Sequence, residues 1–356
     1  MTNSISNKKI ILFDGISGVP MGKEMHEAFV QCGFAADYID NTQLRKKSFY
    51  KLRSAASKVL RKTLYSSEFY YCPQLVQKHF INTLQKHKPD IVLVIGFLYR
   101  FINPELLKKL KQQLRFSLIL FDTDTCNLFG KRRELLFFLE TELPVYDKIF
   151  SFSKRSSEFI NGIQEVKSTF FPFGAKPIAE PESPEKKFDV CFIGTADMRR
   201  IFLLEQIKNS NLAIYGSRWK RYKSVMSKNL QQKIHYNSIW GQDLHRLLHQ
   251  SKITLNITRS SFYGVETGMN LRLFETLAAR SFLLTDYCEE LEEIFTIGQE
   301  IETYSSSGEL IDKVDYYLRH DEKREKIAQK GYELFISKFT WKARVQEMAE
   351  QMQQIC

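Results

Sequence analysis

The chain has 356 residues, of which 43% are hydrophobic and 26% are charged, and its formal net charge is +11. This length predicts two domains, and the composition is that of a folded globular protein, which excludes a largely disordered chain. No apolar run approaches the roughly 18 residues of a transmembrane helix, and the first residues lack a signal-peptide core, so we expect a cytoplasmic protein, with a peripheral position at the inner face of the membrane left open.

The cysteines and histidines form no pattern of a disulfide framework or a metal site. Six cysteines are scattered without a CxxC pair, and the seven histidines show no HExxH spacing. These patterns are typical of reduced thiols and of solvated or capping histidines. The sequence therefore predicts neither a resident metal nor a cofactor.

Positive charge is concentrated in one segment of the first half. Residues 41–67 contain no acidic residue, and Leu52, Ala56, Val59 and Leu60 recur within them at helical spacing. This pattern predicts a basic amphipathic helix. We consider three interpretations, in this order: a solvated helix packed on its own domain, contact with an anionic membrane surface, and nucleic-acid binding. The basic residues are Arg45, Lys46, Lys47, Lys51, Arg53, Lys58, Arg61 and Lys62.

Apolar runs alternate with amphipathic helical patterns, which predicts an α/β fold with parallel sheets. Continuous apolar runs are expected of strands that are covered on both faces. In the first half such runs lie at 9–13, 90–95, 117–121 and 148–152, with helical patterns at 23–31, 75–86, 105–114 and 155–163. In the second half, predicted strands lie at 188–194, 212–215, 252–257, 281–285 and 300–304.

A proline-rich stretch at 175–187 separates these halves and has the composition of a linker. Two α/β domains joined by such a hinge are common in enzymes that close around a ligand. Ligands of such sheets bind at the carboxyl ends of the strands, so the residues that directly follow the predicted strands are the candidates for a site.

Two loops of the first half follow predicted strands. Gly15, Ser17 and Gly18 stand in a glycine-rich loop that matches neither the dinucleotide fingerprint nor the P-loop. They form either an ordinary tight turn or a loop that faces the acceptor. Asp122 and Asp124 are candidate catalytic carboxylates that line the acceptor side or cap the next helix. No third carboxylate follows closely, which disfavours a metal site there.

A turn in the second half has the features of an anion site. Gly268, Met269 and Asn270 precede a short apolar helix that carries Arg272 and Glu275. Backbone N–H groups at a helix start bind anions, and a cation in the first turn is disfavoured unless an anion is bound. Glu275 either pairs with Arg272 on the same helix face or binds ligand hydroxyls. Diphosphate at the turn and hydroxyls at the glutamate together describe a nucleotide-sugar.

The same arrangement recurs earlier in the second half. Gly194 ends a predicted strand, and Arg199 and Arg200 follow in the first turn of the next helix. A second pair of cations at a glycine turn favours a shared anion over coincidence.

Two further loops of the second half carry tryptophan. Gly216 and Trp219 follow the strand at 212–215, and Trp240 precedes a predicted helix. These loops either border a nucleobase or use their tryptophans for plain packing.

Residues 188–344 resemble the nucleotide-binding half of GT-B glycosyltransferases, specifically the CgeB-like (spore maturation protein) group within the glycosyl transferase group 1 clan. The resemblance rests on the G-x-N-x-R-x-F-E string from Gly268 to Glu275, on Gly194 followed by an arginine, and on Gly216 with Trp219. The first half fits loosely, mainly through Phe-Asp-Thr-Asp at 121–124.

The resemblance implies a GT-B fold, in which two Rossmann-like domains with parallel sheets face a central cleft. Residues 1–174 would form the acceptor-side domain, 175–187 the linker and 188–339 the nucleotide-sugar-binding domain. Residues 340–356 would form a helix that crosses back to the first domain.

The resemblance also implies hexosyl transfer from a nucleotide-sugar to a glycan, lipid-linked or protein acceptor, as in cell-surface glycan biosynthesis. Transfer would be retaining and would need no metal. Glu275 stands where the later residue of the clan's paired-glutamate motif contacts ribose. Thr267 stands at the earlier position, with Glu266 one residue out of register.

Two other functional classes stay open at this stage. A basic nucleic-acid-binding protein would show steeply salt-dependent affinity. A catalytically silent nucleotide-sugar-binding module would bind its ligand and transfer nothing.

Overall fold

A computed structural model describes residues 7–16, 18–64, 71–163, 165–179 and 185–353. The chain divides into two compact units, the first comprising Met1–Phe171 with Val345–Cys356 and the second Pro172–Arg344. Among the described residues, no helix is both long enough and apolar enough to cross a membrane.

The described part of the first unit contains a six-stranded parallel sheet in the order β2-β1-β3-β4-β5-β6. Its strands are β1 Lys9–Asp14, β2 Ala35–Asp40, β3 Ile91–Ile95, β4 Ser117–Asp122, β5 Lys148–Ser151 and β6 Lys167–Phe170. Its helices are α1 Met21–Gln31, α2 Tyr50–Leu64, α3 Gln77–His87, α4 Pro104–Leu114, α5 Arg132–Phe137 and α6 Lys154–Ile163. The strand order reverses direction between β1 and β3.

The apolar runs of the first unit form its core. Val92 and Leu118 are opposed on β3 and β4, and both are fully buried. On the same core lie Phe80 of α3 and Leu107 of α4. Burial of each such side chain contributes about 1.5–3 kcal/mol. Asn103 begins α4 as its N-cap, and its side chain accepts a hydrogen bond from the backbone N–H of the second helical residue.

The described part of the second unit also contains a six-stranded parallel sheet, in the order β12-β11-β10-β7-β8-β9. Its strands are β7 Phe188–Ile193, β8 Leu212–Tyr215, β9 Ile234–His235, β10 Ser251–Asn256, β11 Leu283–Asp286 and β12 Glu302–Tyr304. Its helices are α7 Met198–Gln206, α8 Lys228–Gln232, α9 Gly241–His249, α10 Ser260–Tyr263, α11 Leu271–Ala278, α12 Ser307–Arg319 and α13 Asp321–Lys338. A last helix, α14 Trp341–Met352, begins in the second unit and ends in the first.

The predicted α/β class with two parallel sheets is confirmed. The sequence did not predict β2, β6 and β9, each of which is an edge strand of its sheet. Edge strands are covered less completely and carry polar residues, so their sequences lack the continuous apolar run of a central strand. β2, with two aspartates in six residues, is the clearest case.

A fully buried carboxylate organises the loop after β3. Oε1 of Glu142 accepts hydrogen bonds from the backbone N–H of Leu98 at 3.0 Å and from the hydroxyl of Tyr146 at 2.6 Å. Oε2 accepts from the backbone N–H of Tyr99. Burial raises the pKa of Glu142 to about 7, although the three hydrogen bonds oppose the shift.

The raised pKa of Glu142 predicts a pH-dependent stability. The native protein holds this proton more tightly than the unfolded chain, so the contribution is complete below 4.5 and is lost as the pH rises through about 7. Relative to Glu142→Gln, we expect the wild type to lose about 3 kcal/mol of unfolding free energy between about pH 5 and pH 8. Urea unfolding of both proteins measures this difference.

The control for this prediction is Glu140→Gln, which alters an exposed carboxylate two residues earlier. It should keep the pH dependence of the wild type. A pH-independent difference between wild type and Glu142→Gln would contradict the assignment to Glu142.

Candidate functional site

The strand order of the second unit reverses between β7 and β10, which is where ligands bind in open α/β sheets. Buried Arg200 connects the loop after β7 with the loop after β10. Its Nη1 donates to the carbonyl of Thr195 at 2.7 Å, and its Nε and Nη2 donate to that of Ile257 at 2.9 and 2.7 Å. Burial lowers the pKa of Arg200 to about 10. The backbone N–H of Ser260 also donates to Asp197, the N-cap of α7, at 3.2 Å.

Arg199 makes a second connection at the same edge of the sheet. Its guanidinium donates to both carboxylate oxygens of Asp286 at 2.8 and 2.5 Å, and to the carbonyl of Thr258 at 3.1 Å. The ring of Tyr263 lies 3.8 Å from the guanidinium carbon. Burial opposes the charge of Arg199, but its hydrogen bond to Asp286 raises the pKa overall. A phosphate would have to compete with these acceptors, so the phosphate role of Arg199 and Arg200 stays a prediction.

Gly194, Gly216 and Trp219 form a close backbone contact between β7 and β8. A Cβ on Gly216 would lie 1.9 Å from the carbonyl oxygen of Gly194. The indole N–H of Trp219 donates to that same oxygen at 3.1 Å. Trp219 is only 1% exposed and packs edge-on against Phe192. The structure thus places Trp219 in the core, which is the packing role of the two that the sequence left open.

The predicted anion turn is held firmly at the start of α11. Asn270 is the N-cap, and its side chain accepts from the backbone N–H of Arg272 at 3.0 Å. Met269 is fully buried, and a Cβ on Gly268 would lie 2.6 Å from the sulfur of Cys288. Only glycine therefore fits at position 268 without displacement of its neighbour.

Arg272 is buried in the first turn of this helix, with 9% of its side chain exposed. Its Nη1 lies 2.8 Å from Oε2 of Glu275, which is the ion pair considered from the sequence. In the described part of the chain, its Nε is buried and has no hydrogen-bond acceptor. The guanidinium carbon lies 5.6 Å from the ring centre of Trp240, a side chain that is 38% exposed.

His245 interacts electrostatically with two basic residues, Arg272 and Lys176. Burial lowers the pKa of His245, and the positive charges of Arg272 and Lys176 lower it further. His245 belongs to α9, and Lys176 lies in the stretch predicted as a linker. The positive electrostatic potential around these groups favours the binding of an anion. Sequence reasoning missed both residues, because nothing in their local pattern links them to α11.

In the first unit, the two loops singled out from the sequence flank the end of β3. The backbone N–H of Gly15 donates to the last carbonyl of β3 at 2.9 Å. A Cβ on Gly96 would lie 2.9 Å from Ile16 and 3.6 Å from Thr123. Gly18 has a positive φ of 80°, and Ser17 lies outside the described residues.

Asp122 and Asp124 occupy capping positions at the end of β4. Buried Asp122 accepts hydrogen bonds from the N–H and hydroxyl of Thr125 at 2.9 and 2.7 Å, and from the hydroxyl of Ser151 at 2.9 Å. Burial raises its pKa. The side chain of Asn127 donates to Asp124. The side chain of Asp122 thus caps the turn that follows β4, whereas Asp124 stands at the N-cap position without a side-chain capping hydrogen bond. Catalysis by either carboxylate stays a prediction.

Comparisons with known proteins place this geometry in context. Residues 199–350 match the sequence profile of a family described as "Glycosyl transferase-like". No curated protein matches the chain in sequence. Among solved structures, sucrose-phosphate synthase from Thermosynechococcus elongatus is similar at 12% identity, with a TM-score of 0.66 over 98% of this chain and 99% of that one.

Two other structures match over similar lengths. Anabaena HepE in complex with UDP-glucose has 11% identity and a TM-score of 0.65, over 97% of this chain and 99% of that one. A glycosyltransferase from Rickettsia africae has 12% identity and a TM-score of 0.63, over 98% and 99%. The chain therefore has the fold of GT-B glycosyltransferases, and most of its second unit matches the sequence profile of a glycosyl transferase-like family.

Proposed function

We propose that the protein is a glycosyltransferase that binds a nucleotide-sugar with its diphosphate at the start of α11. The observation that carries this proposal is buried Arg272, whose Nε has no acceptor among the described residues. A bound phosphate would supply that acceptor and offset the positive charges of Arg272 and Lys176. It would also raise the pKa of His245, which these charges now lower.

The neighbouring side chains suit the rest of a nucleotide. Trp240 offers a partly exposed ring beside Arg272 for contact with base or ribose. We assign Glu275 to the ribose, because the resemblance to group 1 enzymes implies that their later motif glutamate, whose place Glu275 takes, contacts the ribose. The HepE structure holds UDP-glucose on the same fold, which supports a uridine nucleotide as the first donor to try.

The chemistry that we propose is hexosyl transfer with retention, without an obligatory metal. Negative charge develops on the diphosphate as the glycosidic bond breaks, and Arg272 with the helix N-terminus would stabilise it. Within the described residues, no group of three or more His, Cys, Asp or Glu side chains is placed to hold a metal ion. Unchanged transfer in the presence of EDTA would support metal independence.

A thermal-shift panel of UDP-, GDP-, CMP- and dTDP-sugars tests the proposal. A ligand that binds the native state raises Tm, so one donor class should do so. The same donor is then incubated with glycan, lipid-linked and protein acceptors of the kind found in cell-surface glycans. A panel without any shift would contradict nucleotide-sugar binding, and binding without transfer or hydrolysis would identify the silent module.

A further inference from the structure

Helix α2 presents an apolar face to solvent. Leu52, Val59 and Leu60 are 69%, 67% and 61% exposed, and Phe49 just before the helix is 78% exposed. Positions 52, 56, 59 and 60 fall on one side of an α-helix. A surface helix of a globular domain normally turns such a face toward the core. In the part of the chain that the structure describes, this face of α2 is therefore an exposed apolar patch, which is typical of an interaction surface.

The start of α2 is fixed to the first unit, so this exposure is built into the structure. The backbone N–H of Lys47 donates to the carbonyl of Gln74 at 2.8 Å, and that of Val76 donates to Arg45 at 2.9 Å. At the first residue of the helix, the hydroxyl of Tyr50 donates to the carbonyl of Cys72 at 3.0 Å. These hydrogen bonds hold residues 45–50 against residues 72–76, the segment that precedes α3.

The charged residues of α2 and of the segment directly before it are all basic. The sequence of α2 contains five basic residues and no acidic residue. The segment before it adds Arg45, Lys46 and Lys47, which with Arg53 line an open depression of about 610 Å³. An exposed apolar stripe bordered by lysine and arginine is the pattern of a helix that lies in the interface of an anionic bilayer.

We propose that α2, with residues 45–49 before it, is a docking surface for a membrane that contains anionic lipid. The apolar side chains enter the boundary between headgroups and acyl chains, and the cations contact the headgroup phosphates. A nucleic acid would use the cations but would leave Leu52, Val59 and Leu60 in water. The exposed aliphatic side chains therefore favour a lipid surface, independently of any transfer reaction.

Vesicle flotation of the full chain tests this proposal. We expect binding to phosphatidylcholine vesicles that contain phosphatidylglycerol, and little binding to phosphatidylcholine alone. The triple variant L52S/V59S/L60S should bind the anionic vesicles at least about tenfold more weakly. Its matched control, F202S/V225S/I336S, removes three exposed apolar side chains from the second unit and should bind as the wild type does.

Two charge-reversal variants test whether vesicle binding depends on the local surface of α2 or on the total charge of the protein. K51E/R53E should weaken binding to anionic vesicles at least about tenfold, whereas K108E/K109E, on exposed positions of α4, should change it far less. Both variants change the net charge equally. Equal losses in the two variants would overturn the proposal, because binding would then follow overall charge.

Fluorescence gives a second measurement that does not depend on loss of binding. A tryptophan introduced as L60W should shift its emission to the blue when anionic vesicles are added, because the indole enters a less polar environment. An unshifted spectrum would overturn insertion of α2. Binding to RNA or DNA in place of vesicles, lost in K51E/R53E but kept in L52S/V59S/L60S, would identify a nucleic-acid surface and overturn the proposal. An unchanged Tm in each variant shows that folding is intact.

Discussion

Arg272→Ala is expected to lower kcat/KM for the nucleotide-sugar donor at least about tenfold, or about 1.4 kcal/mol of transition-state stabilisation. The guanidinium is buried at the start of α11, and its Nε has no acceptor among the described residues. Loss of this guanidinium would remove the positive charge that, in our proposal, stabilises the leaving diphosphate. Steady-state kinetics with the donor found in the panel, and calorimetric titration with the matching nucleoside diphosphate, measure the effect.

Two further variants control this prediction. Arg246→Ala removes a solvent-exposed arginine of α9 and should leave kcat/KM unchanged. Arg272→Lys keeps the charge but loses the planar fork of donors, so it should recover only part of the activity. Donor turnover near that of wild type in Arg272→Ala would refute the phosphate role of this residue.

Glu275→Gln addresses the other half of the ion pair. We expect it mainly to weaken nucleotide binding, because the carboxylate is assigned to hydroxyl groups of the ribose and not to the reacting bond. Titration with UDP and GDP measures the change in affinity. Glu266→Gln alters an exposed carboxylate of the same turn and should not change affinity. Equal affinities of wild type and Glu275→Gln would assign Glu275 to structural pairing with Arg272 alone.

The features that the sequence predicted well are local ones. Central strands such as Ile91–Ile95 are buried throughout, so their apolar runs identify them without tertiary information. The turn before α11 was also visible, because its glycine, cap and charged residues lie within eight positions of one another. Partners from distant elements were not visible. Asp286, which binds Arg199, is 87 residues away from it.

The two tryptophans show the limit of spacing as a guide to a site. Trp219 follows a predicted strand and Trp240 precedes a predicted helix, and for both the sequence left open contact with a nucleobase or plain packing. In the structure Trp219 fills the core, because its N–H reaches the carbonyl of Gly194, whereas Trp240 stays at the surface near Arg272. Which of two similar loops carries the exposed ring depends on packing that only the folded chain defines.

The basic segment shows how burial decides between alternatives that a pattern leaves open. A helix was predicted there, and α2 runs from Tyr50 to Leu64. The helix begins only after residues 45–47, because Lys46 forms an isolated antiparallel β-bridge with Leu75. The exposure of Leu52 and Val59 is at odds with the interpretation in which the apolar face packs on its own domain.

Gly216→Ala is expected to destabilise the second unit by about 3 kcal/mol or more, and to lower its Tm by roughly 10 °C. Two effects combine here. Gly216 has a φ of 147°, which a residue with a Cβ adopts rarely, and the added carbon would lie 1.9 Å from the carbonyl oxygen of Gly194. Relief of that overlap would separate β7 from β8 and remove the acceptor of the Trp219 indole. Thermal unfolding followed by tryptophan fluorescence measures the change.

Gly298→Ala is the matched control for Gly216→Ala. Its φ of 80° is also positive, but a Cβ there meets no atom of the described residues within 4 Å. It should therefore cost about 1 kcal/mol, the backbone term alone. If the two substitutions lowered Tm equally, the close approach of Gly194 and Gly216 would contribute nothing beyond backbone conformation. A larger loss at Gly216 instead assigns the difference to the contact between the two strand ends, where the carbonyl of Gly194 also accepts the hydrogen bond of the Trp219 indole.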